Sequence, residues 1–184
     1  MRFTVSFGQL FTVITAVWLL LGLVLLPRVG GELWSRSWRW LGVYACLVVI
    51  ARVVYFPWHT DAAGGILPLR FDAARILPFK LNLLPFVHLL EKYEGWRRNL
   101  FGNIALFVPV GVFWPLCFGK LDRVWKVVLA GFFFSLLIEL SQLLFYERST
   151  DIDDLILNTL GVWIGALLFF ALQKGRRKKE EPHA

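Results

Sequence analysis

The stretch STDIDDLILNTLGVWIGALLFF, Ser149 to Phe170, decides the fold. Its second half is apolar enough for the middle of a bilayer. Its first half carries Asp151, Asp153 and Asp154, with Asn158 one turn further on. A membrane segment that opens on three carboxylates and carries an amide into its apolar part has to bury polar groups against other helices.

The rest of the chain agrees with a membrane setting. Of its 184 residues, 58% are hydrophobic and 18% charged, below the roughly 25% charged residues of an average soluble domain. No polar stretch is long enough for a separate soluble domain, so residues 1–184 read as one membrane domain ending in a basic tail, 173–184. The net charge of +7 lies between and after the apolar runs. It sets orientation in a membrane, and nucleic acid is not an expected partner. The N-terminal run Phe3–Leu26 is uncharged, too long for a signal-peptide core, and followed by no small-x-small cleavage site, so it reads as an uncleaved helix. Cys46 and Cys117 fall within apolar segments and read as buried free thiols.

The expected fold is an all-α integral membrane protein with about five transmembrane helices, near Gln9–Leu26, Trp40–Phe56, Asn99–Phe118, Val124–Tyr146 and Asp154–Leu172. Between helices two and three, Pro57, Pro68, Pro78 and Pro85 interrupt any spanning run. An amphipathic helix on the surface is the preferred reading there, and a re-entrant segment within residues 66–90 the sharper alternative.

Lys174, Arg176, Arg177, Lys178 and Lys179 place the C-terminus in the cytoplasm and, with five spans, the N-terminus outside. Arg28, Arg36 and Arg39, and then Lys120, Arg123 and Lys126, fall on the same inner side. The short outer segments hold only Arg2 and Arg148. The long outer loop, with Arg70, Arg75, Lys80, Lys92, Arg97 and Arg98, narrows that asymmetry without reversing it.

This orientation collects the polar residues at the outer level. Asp151, Asp153, Asp154 and Asn158 open helix five, and Asn99 and Asn103 open helix three. Glu139 and Gln142 lie in the outer half of helix four, and Arg52 near the outer end of helix two. Ser135, Glu139 and Gln142 share a face, as do Asp151, Asp154, Asn158, Gly161 and Gly165. The glycines allow another helix to approach closely. Each polar residue also has a plainer role. Asp151 or Asp153 caps the helix, Asn103 and Asn158 bond neighbouring helices, and Arg52 reaches lipid headgroups. Glu139, expected about 10 Å below its helix end, needs a partner, and Arg52 is the preferred one. His59, His88 and His183 form no metal-binding motif.

Four blocks, LNLLPF at 81–86, RNLFGNIALFVPVGVFWPL at 98–116, SLLIELSQ at 135–142 and RSTDIDDLILNTLGVWIG at 148–165, occur here in the order and spacing of a known family. The chain resembles the VanZ-like family of bacterial membrane proteins over a core of about residues 79–172. The resemblance implies a small multi-pass protein of the bacterial cytoplasmic membrane, in a family whose founding member confers resistance to the lipoglycopeptide teicoplanin. The family's polar pattern recurs at Asn82, Asn103, Glu139, Gln142, Asp153, Asp154 and Asn158, to which the charges of Arg52, Arg98 and Arg148 are added as ligand-binding candidates.

The expected function is binding, without catalysis, of a lipid, a lipid-linked cell-wall precursor or a lipoglycopeptide antibiotic in an outward-facing polar cavity. The alternative is an intramembrane enzyme on an envelope lipid. Glu139 would then be general acid or base, and Asp153 and Asp154 the ligands of a divalent cation. A third reading is an ion-coupled transporter. No cofactor is expected under the first reading, and the sequence leaves the oligomeric state open.

Overall fold

The computed structural model describes residues 2–25, 27, 33–56, 64–72, 80–86, 95–145 and 148–180. Strand β1 (Arg2–Val5) leads into helix α1 (Phe7–Leu25). Then come α2 (Leu33–Tyr55), β2 (Leu69–Asp72), β3 (Leu81–Asn82), α3 (Trp96–Cys117), α4 (Val124–Gln142), β4 (Thr150–Asp151) and α5 (Ile152–Glu180). Five of these helices are long and apolar enough to cross a membrane, as the sequence predicts.

Exposure is inverted relative to a water-soluble bundle. Leu20, Leu23, Phe133, Leu137, Leu168 and Leu172 are exposed, while Glu139, Gln142, Asp153 and Asn158 are buried. Apolar surface on this scale calls for lipid as its solvent.

Helix α1 starts on a capping box. Ser6 Oγ accepts the Gln9 backbone N–H at 3.2 Å, and Gln9 Oε1 accepts the Ser6 N–H at 2.8 Å. α1 packs on α2, α2 on α3, and α5 lies against both α3 and α4. The core draws Cys46 and Ile50 from α2, Phe107 and Val110 from α3, Val127 and Ile138 from α4, and Val162 and Ala166 from α5. A second cluster joins Trp18, Trp40, Val43 and Cys117, with the Trp18 and Trp40 rings stacked at 3.8 Å. Both cysteines are free and buried, as expected.

The contact between α3 and α5 depends on absent side chains. A Cβ on Gly161 would run into the Ile104 carbonyl oxygen, one on Gly165 into that of Val108, and one on Gly111 into that of Val162. The glycine face of α5 therefore admits α3, at backbone contact. Pro109 and Pro115 both lie inside α3, which continues through them.

Two short β pairings were not foreseen. β1 pairs antiparallel with β2, placing Arg2 opposite Asp72, and the two form an ion pair at 2.9 Å. β3 pairs parallel with β4, Leu81 opposite Thr150 and Asn82 opposite Asp151. The amphipathic or re-entrant segment expected between helices two and three falls partly outside the described residues, and His59, His88 and His183 fall outside them altogether. The described parts of that region are strand and turn, and Arg97 and Arg98 already belong to α3.

Helix bounds shift in two places that matter. α4 stops at Gln142 rather than near Tyr146, so Glu139 sits one turn, about 5 Å, from its helix end instead of the expected 10 Å. α2 begins at Leu33 rather than Trp40, carrying Arg36 and Arg39 within the helix.

Candidate functional site

The bundle gathers the polar residues at the end where α3 and α5 start and α4 finishes. Asp151 caps α5: its Oδ1 accepts the Asp153 backbone N–H at 2.9 Å. Carboxylates in the first turn also meet the positive end of the helix dipole. The Asn82 side-chain amide donates to both Asp151 carboxylate oxygens, at 3.2 and 3.1 Å, because β3 and β4 set the two residues opposite each other. The Thr150 N–H extends that pairing to the Lys80 carbonyl at 3.0 Å.

The β4 segment is held from the other side by α4. Thr150 Oγ1 donates to the Glu139 carbonyl at 2.7 Å, and the Asp151 N–H reaches Glu139 Oε2 at 3.3 Å. Glu139 therefore receives a backbone donor from the turn before α5. The ion pair expected with Arg52 is not among the bonds that either residue shows. Arg52 Nη1 instead donates to the Phe56 carbonyl at 2.7 Å, and its guanidinium lies 5.8 Å from the Phe7 ring centre. Comparing depths alone ignored which way each helix face points.

α5 then distributes its polar side chains. Asp153 is buried, and its Oδ1 accepts the Phe86 N–H at 2.7 Å. Asp154 is half-buried and accepts the Asn103 amide of α3 at 2.5 Å, while Asn103 also donates to Asn99 at 3.0 Å. Asn158 is buried and donates to Ser135 Oγ of α4 at 3.0 Å. Asn103 and Asn158 thus bond α5 to α3 and to α4. Among the described residues, three buried acceptors have no hydrogen-bond partner: Asp153 Oδ2, Asn158 Oδ1 and Gln142 Oε1. Burying an acceptor unpaired costs about 1–3 kcal/mol, so these atoms are unusual.

The three arginines separate. Arg148 donates to the Tyr55 carbonyl, tying the turn before β4 to the end of α2. Arg98 is exposed on the first turn of α3, beside Arg97, whose guanidinium lies over Trp96. Arg52 stays at the end of α2. Thr150, Tyr55 and Ser141 were missed. The Tyr55 hydroxyl and Ser141 Oγ hydrogen-bond, joining α2 to α4. For Thr150 and Ser141, their places inside the fourth and third sequence blocks were an available signal; for Tyr55 there was none. Among the described residues, no three His, Cys, Asp or Glu side chains are grouped so that they could hold a metal ion.

Five apolar helices with a buried polar cluster at one end define a multi-pass helical membrane protein. The VanZ/LLP1 family model matches residues 42–173, most of the chain, and the chain belongs to that family. The match reaches further toward the N-terminus than the four sequence blocks, taking in most of α2. Protein VanZ of Enterococcus faecium is 30% identical over 100 residues, 54% of this chain. The aligned part spans 58% of the length of that relative. No solved structure matches.

Proposed function

We propose that the protein binds the headgroup of a membrane lipid, a lipid-linked cell-wall precursor or a lipoglycopeptide at the end of the bundle where Asp154 and Asn103 meet. By this activity it contributes to tolerance of teicoplanin-type lipoglycopeptides in the bacterial cytoplasmic membrane. The observation that carries the reading is the pinned loop beside that cluster. Asp153 holds Phe86, and Leu83, Leu84 and Phe86 stay exposed beside the polar start of α5. Apolar side chains beside a polar cluster suit an amphiphile, whose headgroup meets the polar groups while its chain follows the apolar helix faces. The basic-residue asymmetry turns this end outward, which is where such ligands are met.

The binding reading is favoured over catalysis because the carboxylates already have structural partners. Glu139 accepts the Asp151 N–H, Asp153 that of Phe86, and Asp154 the amide of Asn103. The test is expression in a lipoglycopeptide-susceptible host. Asp154→Ala, Asn158→Ala and Glu139→Ala are expected to reach the membrane at parental level and to lose protection. If all three protect as well as the parent, the reading falls. Turnover of a lipid by the purified protein would replace it with the enzyme.

A further inference from the structure

Two pairs of side chains face each other across the α4–α5 contact. Ser135 and Glu139 are four residues apart on α4, and Asp154 and Asn158 are four residues apart on α5, so each pair lies on one helix face. The inner rung is closed by Asn158 donating to Ser135 at 3.0 Å. The outer rung sets Glu139, whose Oε2 accepts the Asp151 N–H at 3.3 Å, beside the acidic face on which Asp154 follows Asp151 by three residues. Beneath them Asn158 Oδ1, on a residue only 3% exposed, has no partner among the described residues. Glu139 and Asp154 each accept one hydrogen bond, from the Asp151 N–H and the Asn103 amide, so two carboxylates over an unpartnered amide oxygen hold more acceptor sites than the donors that meet them.

We propose that this rung receives the primary ammonium of an aminoethyl phospholipid headgroup, entering past half-buried Asp154. The inference rests on the binding reading above and names its ligand class. An ammonium carries three N–H donors and no acceptor, which matches Asp154, Glu139 and Asn158 Oδ1. Its charge offsets the two carboxylates, and hydrogen bonds between ionised partners are the stronger kind. A metal ion is the poorer match, because no three acidic, His or Cys side chains are grouped to hold one among the described residues. A lipid is the natural carrier, since the exposed Leu83, Leu84 and Phe86 adjoin the start of α5.

The experiment titrates the full-length protein in detergent with short-chain phosphatidylethanolamine, phosphatidylcholine and phosphatidylglycerol of matched chains, and separately with ethanolamine and with Mg2+, reading thermal stabilisation. Choline keeps the positive charge and has no N–H to donate. Phosphatidylethanolamine is expected to stabilise the parent at lower concentration than either other lipid, with ethanolamine much weaker. Asp154→Asn and Glu139→Gln, which keep side-chain shape, should each weaken that binding by about tenfold, the loss expected for one charge-assisted hydrogen bond. Equal response to phosphatidylcholine or phosphatidylglycerol overturns the ammonium assignment on the unmodified protein, whatever the variants do, and leaves the wider binding reading standing. Unchanged affinity in both variants, ethanolamine binding as tightly as the lipid, or stabilisation by Mg2+ alone, overturns it too. If no lipid stabilises the protein and the Ala variants still protect cells, both readings fall together.

Discussion

The backbone N–H of Phe86 donates to Asp153 Oδ1 across 2.7 Å, fixing the end of the LNLLPF turn to the first turn of α5. Phe86 adopts φ 65, a left-handed conformation that bulky residues seldom take, and its ring is nonetheless exposed. A strained backbone that displays an apolar ring costs of order 1–3 kcal/mol and persists where the surroundings hold it.

Removing the anchor therefore should release the turn. Asp153→Ala is expected to destabilise the detergent-purified protein by about 1–3 kcal/mol, since it removes the hydrogen bond between the Phe86 N–H and a buried carboxylate. Asp153→Asn keeps a side-chain oxygen for Phe86 and should cost less. Thermal unfolding of the three proteins side by side checks this, and equal loss in both variants would contradict it.

Phe86→Gly separates strain from function. Glycine takes positive φ freely, so stability in detergent should hold or rise. Loss of the exposed ring should nevertheless reduce lipoglycopeptide protection in cells. Full protection with raised stability would show that the ring has no part in binding.

The α3–α5 contact gives a sharper structural test. Gly161→Ala and Gly111→Ala place a methyl group against backbone carbonyls, which cannot yield as a flexible side chain can. Each should cost about 1–3 kcal/mol through overpacking. Gly102→Ala, in the same helix as Gly111 with nothing near its Cβ, is the control and should be neutral or slightly stabilising.

Orientation is testable by labelling. On a background without Cys46 and Cys117, a cysteine at exposed Ser149 should react with an impermeant thiol reagent in intact cells. One at exposed Gly119, in the turn between α3 and α4, should react only after permeabilisation. The reverse pattern would invert the topology and place the polar end in the cytoplasm.

At that turn Asp122 pairs with Lys126 at 2.6 Å, and the Lys126 hydrogen bond holds its carboxyl below the usual range. A lowered folded-state pKa contributes stability that is complete above the ordinary Asp pKa and fades as pH falls through the folded value. The pair is exposed, so Asp122→Asn should change the unfolding temperature little at neutral pH and not at all in strong acid. A large neutral-pH effect would reveal a role beyond this pair.

The helices were legible because hydrocarbon demands long apolar runs, and the five runs survive as α1 to α5. Their ends were less so. The sequence extended the fourth to Tyr146 because Leu143, Leu144 and Phe145 are apolar, yet they form the turn that carries the chain toward β4. The polar convergence was legible from spacing, and so was one of Asp151 and Asp153 as a cap. The partner of Glu139 was not. A depth argument sees distance along a helix axis and not rotation about it, so it could not tell that Arg52 donates to Phe56. The two-residue pairing of β3 with β4 left no alternation to detect, although it sets Asn82 against Asp151.

Trp18 and Trp40 stack at 3.8 Å with their planes 18° apart, and Thr15 Oγ1 and the Tyr44 hydroxyl hydrogen-bond at 2.7 Å beside them. These contacts join α1, which precedes the family match, to α2. Two indoles this close share their electronic excitation and give a paired positive and negative band in circular dichroism that neither ring gives alone. The protein thus carries an optical gauge of its first helix: the doublet should vanish in Trp18→Phe, and its strength in a native membrane would report, without any label, whether α1 is seated against the rest.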